Sequence, residues 1–426
     1  MKTVRFPYGK EYLSYDFENE NFLGTLTSSL HGYTPELRGE ALVRRAMAEP
    51  IGSPSLYELA KGKRRIVLIA SDHTRPVPSK IIIPPMLEEI RAASPQAEIT
   101  ILIATGCHRD TTEDELIAKF GEEIVRNEHI VVHDATNDAD LVHLGTLPSG
   151  GALRINRLAA EADLLVSEGF IEPHFFAGYS GGRKSVLPGV TSRETVLANH
   201  CSEFIAHPLA RTGVLDGNPV HRDMLWAAKR AGLAYIVNVV IDENKEAIYA
   251  VAGDVEAAHR AGCDFLSRLC RVAPMPADIA ISTNGGYPLD QNIYQSVKGM
   301  TAAEATVREG GVIIMISKAN DGHGGEAFFR QLADEPDIDK TMAQFLARGR
   351  NETVPDQWQT QILLRILKRA TVIFISDAPR EMVEAMHMIP ACDIDEAMTL
   401  AKSILKKDAP TVTAIPDGVA VMIVDQ

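Results

Sequence analysis

The feature of this sequence that most constrains its fold is a series of short apolar runs, each ending where polar residues and glycine begin. Runs of this length, rich in valine and isoleucine, are typical of strands buried on both faces of a parallel sheet. A stretch with helical spacing, SKIIIPPMLEEIRAAS, separates the first two runs, as a βαβ unit requires. The first four runs are RRIVLIASD (64–72), AEITILIATG (97–106), HIVVHDA (129–135) and ADLLVSEG (162–169).

A second series of the same kind follows RVAPMPADIA (271–280), whose two prolines are typical of a linker. Its strands are predicted at ADIAISTNGG (277–286), GGVIIMIS (310–317) and RATVIFISD (369–377), with a helix within residues 290–310. The tail TVTAIPDGVAVMIVD is predicted to form one or two final strands.

The fold class predicted from this pattern is α/β, with two domains, a mostly parallel sheet in each, and the active-site cleft between them. Ligands of such sheets lie beyond the carboxyl ends of the strands, where the polar clusters of this sequence fall. The predicted divisions are an N-terminal, cofactor-binding domain of residues 1–270, a C-terminal domain of residues 275–408, and strands within 409–426 that could pack back on the first domain.

Composition narrows the function classes. A chain of 426 residues is long enough for two domains. Its formal net charge of -14 argues against nucleic acid and anionic membranes as partners. No stretch has the apolar length of a membrane span, and MKTVRFPYGKEY lacks the apolar core of a secretory signal. Five scattered cysteines indicate reduced thiols and a cytoplasmic location, with Cys263 and Cys270 facing a core.

Two polar clusters follow the first two predicted strands. In SDHTRPVP (71–78), Asp72 and Thr74 offer hydrogen bonds, and the planar fork of Arg75 suits a carboxylate or a phosphate. The same residues are equally typical of a turn. In ATGCHRD (104–110), the position of His108 after a strand favours a catalytic role about as much as a structural one. Cys107 beside it reads more readily as a small buried residue than as a ligand.

The third cluster is EPHFFAGYSGGRKSVLPG (172–189). Its glycines, Gly181 and Gly182 among them, permit positive φ, and their amides could form an anion nest. The spacing fits neither of the two common nucleotide-binding motifs, so the ligand stays open at this point. Lys184 could be a phosphate counter-charge or a nucleophilic amine. Aromatic residues at 175, 176 and 179 argue against a merely solvated loop.

Two further groups complete the set of candidates. SRETVLANH (192–200) predicts a helix with Ser192 near its start and His200 along it. In GGYPLDQNIYQSVKG (285–299), Tyr294 and Lys298 are four residues apart and share a helix face. Taken alone, that lysine reads as an exposed residue of a solvated helix.

Together these clusters resemble the nickel-dependent lactate racemases and their relatives among the 2-hydroxyacid racemases and epimerases. The residues that carry the resemblance are SDHTRP, GCHR, EPHFFAGYSGGRKSVLPG, the NH pair at 199–200, and NIYQSVKG. The likeness runs over most of both predicted domains, and the long loop around Lys184 is its most specific part. One departure is the continuation of HRD (108–110) as TTEDE, without the proline that many relatives have soon after the arginine.

The resemblance implies a cofactor, pyridinium-3-thioamide-5-thiocarboxylic acid mononucleotide, which holds nickel as a pincer complex and is made by separate cofactor-synthesis enzymes. By position, Lys184 would be its covalent attachment point and His200 the protein ligand to nickel. His108 and His174 would be the paired acid/base residues. Asp72, Thr74, Gly181 and Gly182 would help to seat the nucleotide. The substrate would contact Arg75, Tyr294, Gln295, Lys298 and Trp358.

The chemistry suits these residue types. Removing the α-proton of a 2-hydroxyacid is difficult, because a carbon acid beside an ionised carboxylate is very weak. Removing a hydride instead avoids that step and leaves a planar 2-keto acid. A histidine can take the hydroxyl proton near neutral pH, and two histidines can serve the two enantiomers. Imidazole and sulfur are suitable nickel ligands. The implied substrate is a small 2-hydroxyacid, lactate first.

Three alternatives remain open at this stage. The same machinery could act on another 2-hydroxyacid or on a sugar acid, since the residues that line the cleft decide the choice. A hydrolase of the zinc type could use His108, His174 and His200 around one ion. A non-catalytic binding protein could hold a small anion in the cleft, although paired histidines and a buried lysine are costly to keep for binding alone.

Overall fold

A computed structural model gives the fold and describes residues 2–17 and 21–424. The chain divides into two compact units. The continuous unit is one segment, Leu30–Arg268, and the split unit combines Met1–Ser29 with Leu269–Gln426. Each unit contains one six-stranded sheet and its covering helices, so the predicted α/β class with two sheets is confirmed.

The strands of the described residues are, in chain order, β1 (Lys2–Tyr8), β2 (Glu11–Phe17), β3 (Phe22–Thr25), β4 (Arg65–Ser71), β5 (Glu98–Ala104), β6 (His129–Val132), β7 (Leu141–Thr146), β8 (Ala152–Asn156), β9 (Leu164–Phe170), β10 (Pro173–His174), β11 (Gly178–Tyr179), β12 (Leu233–Ile241), β13 (Ala247–Gly253), β14 (Arg271–Val272), β15 (Ala277–Thr283), β16 (Val307–Ile316), β17 (Thr371–Ile375), β18 (Ile389–Ala391), β19 (Val412–Ile415) and β20 (Met422–Ile423).

The helices are α1 (Gly39–Ala48), α2 (Leu56–Ala60), α3 (Ser79–Ala93), α4 (Glu113–Phe120), α5 (Glu122–Asn127), α6 (Arg157–Ala160), α7 (Arg193–Asn199), α8 (Ser202–Ala206), α9 (Pro219–Arg230), α10 (Ala257–Cys270), α11 (Ile293–Thr306), α12 (Glu326–Ala333), α13 (Ile338–Ala347), α14 (Gln357–Arg369), α15 (Arg380–Ala385) and α16 (Ile394–Leu405). Short 3₁₀ turns lie at Leu30–Gly32, Asp138–Asp140, Gly182–Ser185 and Arg350–Glu352.

The sheet of the continuous unit has the strand order β13-β12-β9-β4-β5-β6. All its pairs are parallel except the edge pair of β12 and β13. Every residue of β9 is buried, because helices such as α1 and α3 cover the apolar faces of these strands. Since β9, β4 and β5 are adjacent and parallel, the chain leaves all three at the same edge. The predicted polar clusters lie at that edge.

The sheet of the split unit is parallel throughout, in the order β18-β17-β16-β15-β19-β3. Strand β15 is buried along its whole length, as expected for the centre of such a sheet. The three strands predicted for the second series correspond to β15, β16 and β17, and the predicted helix corresponds to α11.

The division into units differs from the predicted boundaries at both ends of the chain. Residues 1–29, predicted to belong to the N-terminal domain, lie in the split unit because β3 pairs with β19. The C-terminal strands lie in the same unit, where β19 pairs with β15 and β20 with β14. An edge strand pairs with whichever sheet offers unpaired backbone groups. Its own sequence does not show which sheet that is.

Among the described residues, no helix has both the length and the apolar character needed to cross a bilayer. Cys263 and Cys270 are buried, as predicted. Cys107, predicted to be a small buried residue, is exposed in the loop that follows β5.

Candidate active site

The loops that follow β4 and β5 bring Asp72 and His108 together. The Nδ1 atom of His108 lies 2.6 Å from Oδ2 of Asp72 and donates to it. Thr74 donates to the other carboxylate oxygen, Oδ1, from its hydroxyl at 2.7 Å and from its amide at 3.2 Å. The side chain of Asp72 is buried, whereas that of His108 is 45% exposed. A neutral His108 therefore has its proton on Nδ1 and its lone pair on Nε2.

Asp72 stays ionised although its side chain is buried. Burial raises the pKa of this carboxyl, but the hydrogen bonds from His108 and Thr74 and the charge of Arg75 outweigh it, and the pKa lies below its ordinary value. An ionised carboxylate behind an imidazole fixes its tautomer and stabilises the imidazolium that forms when Nε2 takes a proton. The resemblance implies a cofactor-seating role for Asp72, which stays a prediction, and in the structure its carboxylate hydrogen-bonds to His108.

Two more contacts tie these loops to each other. The Nδ1 atom of His73 lies 3.0 Å from Oγ1 of Thr111. Lys119 of α4 donates from Nζ to the carbonyl oxygen of Arg75 at 3.1 Å. Burial lowers the pKa of Lys119 from its ordinary value, while the nearby carboxylates of Glu168 and Asp72 act to raise it. Lys119 thus holds the half-buried Arg75 through its backbone carbonyl group, and this contact does not involve the guanidinium.

The departure from the family pattern after Arg109 has a structural use. Thr112 caps α4, and Glu115 completes the capping box by accepting from the amide of Thr112 at 2.9 Å. Glu115 also binds both guanidinium nitrogens of Arg109, at 2.5 and 2.9 Å. The TTEDE sequence therefore begins a helix.

The loop of residues 172–190, here called the lysine loop, follows β9 and is mostly buried. The short strands β10 and β11 pair, with His174 opposite Gly178. The Nδ1 atom of His174 accepts from the amide of Ala177 at 3.3 Å. Because an amide can only donate, a neutral His174 has its lone pair on Nδ1 and its proton on Nε2. Its tautomer is the opposite of the one that Asp72 fixes in His108.

The ring of Phe176 is the point on which three predicted site residues converge. The ring of His174 contacts it edge-on, with centroids 4.5 Å apart, and the ring of His200 does so at 5.2 Å. The Nζ atom of Lys184 lies 6.0 Å from the centroid of the same ring. The sequence indicated that this aromatic residue would be buried, which is confirmed, but not that it would stand between these side chains.

His200 ends α7 and is buried. Its Nδ1 atom donates to the carbonyl oxygen of Val196 at 3.0 Å. Burial, followed by the positive charge of Lys184, lowers the pKa of His200 to about 3. The imidazole is therefore neutral, with its lone pair on Nε2, which is the form that binds a metal ion.

Among residues 2–17 and 21–424, no three His, Cys, Asp or Glu side chains are grouped closely enough to hold a metal ion. The zinc hydrolase alternative requires His108, His174 and His200 around one ion, and this geometry does not provide it. A metal held at His200 would need ligands from beyond such a cluster of side chains, and the sulfur donors of the nucleotide implied by the resemblance would fit that need.

Gly181 and Gly182 have a packing role in the structure. Both have positive φ, at 74° and 53°. A Cβ atom on Gly181 would lie 2.7 Å from Oδ1 of Asn238, and one on Gly182 would lie 2.7 Å from Cδ2 of His259. The amide of Gly182 donates to Oδ1 of Asn238 at 2.6 Å. Their predicted contribution to an anion nest stays a prediction.

The split unit positions the other predicted substrate residues. Tyr294, Gln295 and Lys298 lie on the first turns of α11, capped by the side chain of Asn292. The Nε1 atom of Trp358 donates to Oη of Tyr294 at 3.2 Å. Within the described part of the chain, the buried Oε1 atom of Gln295 has no hydrogen-bond partner. A buried acceptor in that state costs free energy, so a ligand that donates to it gains affinity.

Sequence reasoning missed the residues that support the lysine loop. Arg183 is fully buried, and Asn218 and Asn238 hold backbone groups of the loop. A single arginine in a glycine-rich segment reads as a surface charge, because arginine is rarely buried. The available signal was its position between two glycines and a lysine in a segment rich in aromatic residues.

Comparisons with known proteins identify the family of the chain. The family described as "Lactate racemase N-terminal domain" matches residues 8–213, and "Lactate racemase C-terminal domain" matches residues 272–423. The chain is 54% identical over 424 residues to the lactate racemase of Thermoanaerobacterium thermosaccharolyticum, covering 99% of each. It is 53% identical to the lactate racemase of Lactiplantibacillus plantarum, covering 99% of this chain and 100% of that protein.

Two solved structures are similar as well. The apoprotein of the lactate racemase from Thermoanaerobacterium thermosaccharolyticum matches with a TM-score of 0.96 at 53% identity, covering 100% of both chains. A protein from Thermotoga maritima matches with a TM-score of 0.65 at 19% identity, over 90% of this chain and 98% of that one. The second likeness concerns the fold alone.

Proposed function

This chain belongs to the lactate racemase family, and from that premise we propose that it interconverts D- and L-lactate through a 2-keto acid intermediate. The enzyme class is isomerase. The observation that carries the proposal is the convergence of His174, Lys184 and His200 on the ring of Phe176. The half-buried His174 and Lys184 beside the buried, neutral imidazole of His200 suit a tethered cofactor next to a substrate.

The proposed cofactor is the nickel-pincer nucleotide, attached covalently to Lys184 and with His200 as its protein ligand. When bound, this group supplies an acceptor for the hydride from the stereocentre of the substrate. The neutral state of His200 and the donation from its Nδ1 to Val196 support the assignment, because they leave Nε2 as the ligand atom. Separate cofactor-synthesis enzymes would mature the protein, and the scattered cysteines support a cytoplasmic location.

His108 is proposed as the base for one enantiomer. Its Nε2 lone pair takes the hydroxyl proton as the carbonyl of the keto acid forms. The imidazolium that results is stabilised by the Asp72 carboxylate 2.6 Å from Nδ1. Because Asp72 is buried and ionised, this stabilisation is present before the proton moves.

His174 is proposed as the acid/base residue for the other enantiomer. In its neutral form it presents the Nε2 proton, because Nδ1 accepts from Ala177. It can therefore hydrogen-bond to the carbonyl oxygen of the keto acid. Returning a proton there requires the imidazolium, with both ring nitrogens protonated, because a neutral imidazole that lost its Nε2 proton would become an anion. Protonation of Nδ1 would loosen the contact with Ala177, and loss of the Nε2 proton would then leave the lone pair at Nε2 that the opposite direction requires.

Substrate orientation is proposed for the remaining residues. The guanidinium of Arg75 and the ammonium of Lys298 would bind the carboxylate while the keto acid turns between its two faces. Tyr294, Gln295 and Trp358 would line the substrate site, and the partnerless Oε1 of Gln295 supports a ligand there. Thr74 would keep the Asp72 carboxylate in place.

Pure enantiomers of several 2-hydroxyacids test the substrate assignment. The protein is made in a host that synthesises the cofactor, and loss of optical rotation is followed for lactate, longer aliphatic acids, malate and a sugar acid. We expect the highest kcat/KM with both enantiomers of lactate. Racemisation of malate or a sugar acid with none of lactate would assign the same machinery to that other acid.

The mass of the peptide that contains Lys184 tests the cofactor assignment. We expect a covalent adduct on this lysine and one nickel per loaded chain. Lys184→Ala should lack both the adduct and the activity. Full racemase activity of protein without any adduct would contradict the proposed cofactor.

A further inference from the structure

Arg183 is the largest of the fully buried side chains, and its contacts concentrate on the lysine loop. Its Nη2 atom donates to the carbonyl oxygen of Ala177 at 2.7 Å. Its Nη1 atom lies 3.3 Å from the carbonyl oxygen of Ser180 and 3.2 Å from that of Gly181. One planar guanidinium thus binds three carbonyl groups of the segment that separates His174 from Lys184.

The surroundings of Arg183 contain neutral dipoles. Among the described residues, Arg183 forms no ion pair with a carboxylate. Its Nε atom donates to Nδ1 of His221 at 3.0 Å. Burial, and then the charge of Arg183, lowers the pKa of His221 to about 3, so this imidazole is neutral and accepts. A buried cation without a counter-ion is costly, and apolar packing would stabilise the fold at least as well. Stability alone therefore does not explain this arginine.

The contact with Ala177 links Arg183 to the acid/base chemistry. The amide of Ala177 donates to Nδ1 of His174, and its carbonyl oxygen accepts from Arg183. The orientation of this one residue sets the tautomer of His174. On the other side, Lys184 directly follows Arg183, and its amide donates to the carbonyl oxygen of Gly181 at 3.1 Å.

Resting on the proposed function, we propose that Arg183 is a positioning residue. Its guanidinium holds the lysine loop in the one conformation that places the Nε2 proton of His174 and the amine of Lys184 for the reaction. Because its fully buried side chain contacts the loop backbone and His221, it acts on the reaction through other residues. The fork geometry is essential, because a lysine has the charge but cannot reach three carbonyl groups from one plane.

Two variants test this proposal. Arg183→Lys keeps the charge and loses the fork, and Arg183→Met keeps much of the apolar stem and removes the charge. Both are made in the host that synthesises the cofactor, and the fraction of Lys184 with the adduct is measured by peptide mass. For each variant we expect kcat per loaded chain to fall about 10²-fold with a much smaller change in KM, the effect of a misplaced reacting group.

The kcat per loaded chain separates positioning from folding. Arg183→Met removes a buried unpaired charge but leaves three carbonyl groups without this donor, so we expect both its thermal midpoint and its kcat per loaded chain to fall. A purely structural arginine would lower the midpoint and leave kcat per loaded chain as in the wild type, which would overturn the proposal. The control is Arg365→Lys, the same change at an arginine that binds both carboxylate oxygens of Glu304 in the split unit. It should change kcat by less than about twofold.

A measurement on the wild-type holoenzyme needs no variant to fold. Amide hydrogen exchange of peptides within 174–186 should be as slow as that of β9, because buried donors hold this loop. Rapid exchange there, with slow exchange in β9, contradicts the proposal. A wild type without any adduct on Lys184 refutes the proposed function instead. An adduct together with unchanged kcat per loaded chain in both Arg183 variants refutes the positioning role alone.

Discussion

The two histidines proposed for acid/base chemistry lie in regions that are built differently. His108 is 45% exposed and is held by one buried, ionised carboxylate, Asp72. His174 lies in the lysine loop between aromatic rings and is oriented by a neutral amide, that of Ala177. The first support fixes the lone pair at Nε2, and the second fixes the proton there. One residue type thus has two starting states, set by the group behind the ring.

The two regions also differ in how their loops are held in place. The loops that hold His108 are tied together by a few side-chain contacts, such as those of Asp72 with His108 and of His73 with Thr111. The lysine loop is held from inside by Arg183, Asn218 and Asn238, which bind its backbone. A change in the first region should alter chemistry with little loss of stability, whereas a change in the second should alter both.

The largest expected effect is that of removing either imidazole. His108→Ala and His174→Ala should each lower the racemisation rate about 10²- to 10⁴-fold, the usual contribution of a general acid or base. Added imidazole should restore activity to His108→Ala, whose site is open and retains Asp72, and not to His174→Ala, whose ring is packed between phenylalanines. His129→Ala, at an exposed residue of β6, is the control. If added imidazole restored the activity of both variants equally, the surroundings of His108 and His174 would not differ as described.

Asp72→Asn should follow, with a loss of about 10- to 100-fold in kcat and little change in the thermal midpoint. The amide can no longer stabilise an imidazolium, and it can hold His108 in the other tautomer. Asp134→Asn is a matched control, because Asp134 accepts from the amide and hydroxyl of Thr136 as Asp72 does from Thr74. A wild-type kcat in Asp72→Asn would show that the carboxylate does not support the base.

In the lysine loop the expected effect is on stability. Gly181→Ala should lower the free energy of unfolding by about 2 to 4 kcal/mol, since its Cβ would lie 2.7 Å from Asn238 Oδ1 and 2.8 Å from the Phe170 carbonyl oxygen. Gly62→Ala is the control: φ is 70° there and no atom lies within 4 Å of the new Cβ, so it should cost about 1 kcal/mol. If urea denaturation gave the same loss of unfolding free energy for both variants, the lysine loop would have shifted to accommodate the new Cβ atom.

The smallest expected effect is a pH slope. The pKa of His221 is about 3 in the folded protein and near 6.5 when unfolded, so below pH 6.5 the unfolded chain binds a proton that the folded chain does not. Stability therefore falls as the pH drops from about 6.5 towards 3. His221→Gln should reduce the slope of the unfolding free energy near pH 5 by about 1.4 kcal/mol per pH unit. An unchanged slope in denaturation series would show that this imidazole is not held neutral.

Much of the fold could be predicted from the sequence because the buried strands are continuous apolar runs. β4, β5, β15 and β17 fall within predicted stretches, whereas β9 continues to Phe170 and β16 begins at Val307, just outside theirs. The membership of β3 could not be predicted, because its pairing with β19 joins residues nearly 400 positions apart. Local patterns identify a strand but not its neighbour.

For the candidate site, the sequence singled out residues but could not predict their contacts. Strand-end positions and the family resemblance singled out Asp72, His108 and Lys184. That Asp72 supports His108 depends on the register of β4 and β5, whose ends meet only in the folded sheet. Arg183 was missed for a similar reason, since its partners lie on α9, α10 and the loop itself. Whether a charged side chain is buried depends on partners that only the folded chain brings together.

The most direct test of the account is the fate of the hydrogen at the stereocentre. Lactate that is deuterated at C2 is racemised in ordinary water by the loaded enzyme, and the product enantiomer is analysed by mass spectrometry. Hydride transfer predicts that most of the deuterium is present at C2 after inversion, because the hydrogen never becomes a solvent-exchangeable proton. Product in which the label has been replaced by hydrogen from water would contradict the account.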